Sequence, residues 1–68
     1  MRASTDPAGM TDDELETAGR HHATLAESYR GMAKDDTSTE RAASCLRLAD
    51  RHQAASDACN AEAKRRGQ

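Results

Sequence analysis

The chain contains no valine, isoleucine, phenylalanine or tryptophan. Its large apolar side chains are Met1, Met10, Leu15, Leu25, Tyr29, Met32, Leu46 and Leu48, and alanine dominates the rest of the hydrophobic share. So few β-branched and aromatic residues leave a pleated surface with little to pack. Alanine, glutamate, arginine and leucine favour helix instead. The 68 residues suffice for one small domain. Below about 70–80 residues a single core rarely supplies more than about 3–5 kcal/mol. Small domains offset that shortage with disulfides, a metal or association, so a companion is expected: a second copy or a different protein.

Local signals divide the chain into a lead-in and two helices. Residues 1–10 are predicted as an extended lead-in, interrupted by Pro7 and Gly9. Residues 11–68 are predicted as an antiparallel helical hairpin. Thr11-Asp12-Asp13-Glu14 fits a capping box, and Met10 with Leu15 fits the accompanying hydrophobic staple. The first helix is placed at about 11–33. Its apolar stripe is Leu15, Ala18, His22, Leu25, Tyr29 and Met32, widened by Ala26 and Ala33. Gly19 and Gly31 weaken this helix, and Gly31 is expected to start its fraying end.

Residues 34–37 make the predicted turn, with a second capping box at Thr37-Ser38-Thr39-Glu40. The second helix is placed at about 38–66. Its stripe is Cys45, Leu48, His52, Ala55 and Cys59, flanked by Ala42, Ala49, Ser56 and Ala63. Lys64, Arg65 and Arg66 suit the negative end of a helix dipole, and Gly67 suits the residue after it. Glu16–Arg20 and Glu62–Arg66 have the acid-first i,i+4 spacing of helix ion pairs. A short turn forces the helices antiparallel. The expected neighbours are Leu25 with Cys45, His22 with Leu48 and Ala49, and Leu15 with Ala55. The first helix carries five acids and two bases, the second six bases and four acids. That difference favours side-by-side packing. The architecture expected is all-α, a two-helix hairpin that assembles into a four-helix bundle or docks on a partner.

Cys45, His52 and Cys59 lie seven residues apart. On a helix that places the two sulfurs' residues ~21 Å apart at 1.5 Å per residue. A disulfide needs Cα atoms within about 7 Å, so the thiols of one chain cannot pair, and the three residues cannot share one metal. The spacing is that of a seam, with cysteine as a small hydrophobe. Two copies of the second helix packed about a two-fold axis near His52 would bring Cys45 of one against Cys59 of the other. His22 and His52, offset by about one turn, could meet across the hairpin, as a pH-sensitive contact or as half of a metal site. The rival reading is therefore a metal- or redox-responsive bundle using His22, His52, Cys45 and Cys59.

The net charge of −2 demands no nucleic acid, and no apolar run reaches the ~18 residues of a membrane span. The N-terminal stretch lacks the apolar centre of a signal peptide. A cytoplasmic chain of bacterial or phage type is expected, the latter from arginine outnumbering lysine eight to two in an alanine-rich sequence. No phosphate loop, nucleophile set or carboxylate pair facing a cleft is visible, so an enzyme is not expected and no cofactor is expected. Tyr29-Arg30-Gly31 resembles the Trp-x-Gly of the small secreted WXG-type helical hairpins. Tyrosine stands in for tryptophan and the chain is shorter than that family's, so the resemblance is not adopted. The function expected is protein binding, by self-association or by docking on a larger complex, as an inhibitor of a host defence system (an anti-CRISPR, for example) or a small regulator does. The expected interface is Leu15, Leu25, Tyr29, Met32, Cys45, Leu46, Leu48, His52 and Cys59, with Tyr29 as the anchor.

Overall fold

A computed structural model of the chain describes residues 6–67. Its elements are a 3-10 turn, Pro7–Gly9, and two α-helices, α1 (Asp12–Asp35) and α2 (Thr39–Arg65). The helices run antiparallel as a hairpin, and no strand occurs among the described residues. The molecule measures 42 × 27 × 13 Å. The shortest dimension leaves room for one layer of helices, whose diameter with side chains is about 10–12 Å.

α1 begins at the expected cap. Thr11 Oγ1 accepts from the Glu14 amide at 3.2 Å, and the Thr11 amide donates to Glu14 Oε1 at 2.8 Å. Asp12, Asp13 and Glu14 fill the first turn, where the dipole favours acids. The helix then runs through Gly31 to Asp35, two residues beyond the predicted end. The second cap is shifted by one residue from the predicted box. Ser38 is the N-cap and accepts from the Arg41 amide at 3.4 Å, while Asp36 takes the Ser38 amide at 2.8 Å. Thr37 is not the cap, and the Asp36 carboxylate also accepts from the Arg41 guanidinium at this corner. Beyond the end of α2 and its C-cap Arg66 comes Gly67, whose φ of +86° only glycine adopts at little cost. Its amide donates to the Lys64 carbonyl at 3.0 Å, as a C-terminal cap should.

The seam between the helices differs from the predicted one. Leu15, Gly19, Ala26 and Ala33 are buried on α1, and Ala49, Ser56 and Cys59 on α2. Adding the half-buried His22 and Tyr29 gives α1 the series 15-19-22-26-29-33. Adding Ala42, Cys45, His52 and Ala63 gives α2 the series 42-45-49-52-56-59-63. Both alternate by three and four, the heptad pattern of helices packed side by side. The centre of α1 is thus rotated off the predicted Ala18–Leu25–Met32 edge and onto Gly19–Ala26–Ala33. Met32 is 55% exposed.

The cause is size. Small residues at the centre let the backbones approach, and Ser56 Oγ donates to the Gly19 carbonyl at 2.9 Å in the buried interface. The pairing register is correspondingly shifted by about one turn from the predicted one. Gly19 faces Ser56 and Cys59, and His22 faces His52. Leu15, 1% exposed, is the largest fully buried side chain. Its burial stabilises by roughly 1.5–3 kcal/mol.

The lead-in is only partly extended. Pro7–Gly9 forms a 3-10 turn, capped by Asp6, which accepts from the Ala8 amide at 3.2 Å. Arg66 holds this turn against the end of α2. Its Nη2 donates to the carbonyls of Pro7 and Ala8 at 3.3 and 3.2 Å, and its Nη1 pairs with Asp12 at 3.0 Å. Residues 1–5 of the predicted lead-in lie outside the described residues.

Candidate functional site

The seam has two flanks, and they differ in chemistry. On one, Arg30 Nη1 donates to Gln53 Oε1 at 3.3 Å, bridging the helices. Leu46, seven residues before Gln53, sits on this polar side and is 48% exposed. On the other flank, Met32 and Arg41 line a shallow open depression with Asp35, Asp36 and Thr37. Leu25 and Ala18 precede Met32 at seven-residue steps on α1, and Leu48 and Ala55 follow Arg41 at the same steps on α2. All four are half-buried. This flank is therefore an apolar strip, Ala18–Ala55, Leu25–Leu48 and Met32, running along one edge of the hairpin.

The expected interface residues divide accordingly. Leu15 and Cys59 are spent on the seam, and Cys45 and His52 lie half-buried within it. Tyr29 is also half-buried, its ring stacked on His52 with centroids 5.7 Å apart and planes 7° from parallel. The expected anchor thus packs within its own chain. Helical spacing puts Leu25, Met32 and Leu48 on the same flank, and Leu46 on the other side of the seam.

At mid-seam, the Nδ1 atoms of His22 and His52 approach to 2.8 Å, with ring centroids 5.1 Å apart. His21 meets His22 edge-on at 5.8 Å. A contact of that length between two imidazole nitrogens is a hydrogen bond, so one carries the proton and the other offers its lone pair. Burial, followed by the neighbouring His52 and His21, lowers the pKa of His22 below the ordinary imidazole value. Cys45 and Cys59 are free thiols. Among the described residues no group of three or more His, Cys, Asp or Glu side chains converges as a metal would require.

The ends of the hairpin carry the ion pairs. Glu62 accepts from Arg65 at 2.6 Å and from Arg66 at 2.8 Å, and these hydrogen bonds lower its pKa to about 2. Arg41 pairs with Asp36 at 3.1 Å, lowering the Asp36 pKa, with help from the Ser38 amide. Glu16–Arg20 forms as expected at 2.6 Å, on the exposed face of α1. Two features were not foreseen. The Arg66 clamp joins residues far apart in sequence and leaves no local signal. The Gly19–Ser56 contact does have one, because Gly19-Ala26-Ala33 and Ala42-Ala49-Ser56-Ala63 are seven-residue series of small side chains.

No helix among the described residues is long and apolar enough to cross a membrane. Comparison with known proteins finds no matching family, no similar curated protein and no similar solved structure.

Proposed function

We propose that the chain is a non-enzymatic protein-binding module that presents the Leu25–Met32–Leu48 flank of its hairpin to an apolar surface of another protein, first of all a second copy of itself. One observation carries the reading: apart from Leu15 the fully buried positions of the seam are small side chains, while Met32 stands 55% exposed and Leu25 and Leu48 are only half-buried. A stable domain ordinarily buries an apolar face between two layers, and this chain supplies one. Two hairpins packed through these flanks give a four-helix bundle, the common solution for helices of this length. The helices support the pairing electrostatically. α1 holds six acids and three bases, α2 four acids and five bases, so α1 of one copy attracts α2 of the other. An inhibitor or small regulator docking on a larger complex would use the same strip.

Sedimentation analysis over the micromolar range tests the proposal. The wild-type chain is expected to run as a dimer, and the double variant Leu25→Glu, Met32→Glu as a helical monomer. A wild-type chain that stays monomeric, folds cooperatively and captures no protein through this flank would overturn it.

A further inference from the structure

We propose that the His22–His52 contact is a proton-operated latch in the hairpin, closed while the two Nδ1 atoms share one proton and released when a second arrives between them.

The geometry carries this. At 2.8 Å the two nitrogens accommodate a single hydrogen. With both rings neutral, one tautomer donates and the other accepts. With one ring charged, the bond persists in a stronger, charge-assisted form. With both rings charged, each Nδ1 bears a hydrogen, the two N–H groups point at each other, and two cations face across a half-buried seam. Among the described residues no carboxylate forms an ion pair with either ring. One turn away along α1 lie Ala18, Gly19, Leu25 and Ala26, and along α2 Leu48, Ala49, Ala55 and Ser56, none of them ionisable. The titratable rings in contact are His21, which would add a like charge, and Tyr29, stacked on His52. The third described element, Pro7–Gly9, is held at the other end of the hairpin by Arg66. Release therefore also frees Tyr29, and it loosens the seam next to Leu25 and Leu48. The lowered pKa of His22 runs in the direction that such a pair requires.

Two such coupled groups titrate in two macroscopic steps. Because the folded chain resists the second proton, stability is full above the ordinary imidazole value of about 6.5 and falls below it. The hairpin's opening constant is expected to rise by up to about tenfold per pH unit in that window. The test follows urea unfolding of the full chain from pH 7.5 to 5, with imidazole nitrogen NMR on the same samples. Glu14, Asp36 and Glu62 have lowered pKa values and stay ionised throughout this range. The wild type should lose stability toward pH 5 and show two separated histidine steps from the seam pair. His52→Gln should flatten the pH dependence, and His21→Gln should retain it. Two seam histidines titrating independently at one ordinary midpoint, with stability flat across the window, would overturn the latch, and this readout stands even if His52→Gln fails to fold. A pH effect that vanishes on dilution would belong to association between copies and would also count against it, whereas one independent of concentration survives a failure of the dimer reading.

Discussion

The Ser56 hydroxyl donates to the Gly19 carbonyl across the buried interface at 2.9 Å, joining residues 37 apart in sequence. That bond requires the two backbones to be close, and the small side chains above and below it make the approach possible. No buried side-chain nitrogen or oxygen among the described residues lacks a partner, so Ser56 is satisfied by this contact. Ser56→Ala removes a hydrogen bond worth about 1 kcal/mol net, partly offset by the higher helix propensity of alanine. Ser56→Leu forces the helices apart, and overpacking of this kind costs roughly 1–3 kcal/mol. Urea melts should rank the three chains wild type, Ser56→Ala, Ser56→Leu in falling stability.

Gly19 is the closer test of how tight the seam is. A Cβ there would lie 3.2 Å from Asn60 Oδ1 and 3.7 Å from Cys59 Cβ. The amide of Asn60 ends a flexible, exposed side chain and can move a few tenths of an ångström, so Gly19→Ala should fit. Replacing a helical glycine with alanine gains up to about 1 kcal/mol. Gly31→Ala, which meets nothing within 4 Å, should realise that gain fully, and Gly19→Ala somewhat less. Thermal melts of both variants beside the wild type check the order.

Arg66 is expected to hold the N-terminal turn without holding the hairpin. Arg66→Ala removes the donors to the Pro7 and Ala8 carbonyls and the pairing with Asp12. Hydrogen exchange should accelerate at the Gly9 and Met10 amides, which bond to Asp6 and Pro7 in the closed turn. Helical circular dichroism should stay close to wild type.

Acid should weaken the ends of the hairpin at a pH lower than the histidine window. Glu62 falls from an ordinary 4.5 to about 2 through hydrogen bonds from Arg65 and Arg66, Asp36 is lowered by Arg41, and Glu14 by the Thr11 amide. Each contributes stability above its unfolded value, and that contribution is lost as pH falls through the folded value. For Glu62 the window is about pH 4.5 to 2. A Glu62→Gln chain should show a shallower decline of melting temperature across that range than the wild type, and added salt should narrow the difference.

Composition, caps and periodicity were enough to specify two helices, their antiparallel arrangement and most of their ends. Those features rest on interactions within a few residues: Thr11 with Glu14, Glu16 with Arg20, Gly67 with Lys64. Even the Cys45–His52–Cys59 series lies along the seam, as its spacing implies. The rotation of α1 about its axis was decided by the tertiary structure. Ranked by hydrophobicity, Leu25 and Met32 belong inside, but Gly19, Ala26 and Ala33 occupy the centre because small side chains on both helices permit close backbone approach. Side-chain volume acts on the distance between two surfaces, and one helix read alone does not reveal what the other brings. The same holds for the reach of Arg66 back to Pro7, whereas the meeting of His22 and His52 was expected from their places in the two seams. The pairing register, about one turn from the expected one, was decided in the same way, by how closely the small side chains of both helices let the backbones approach.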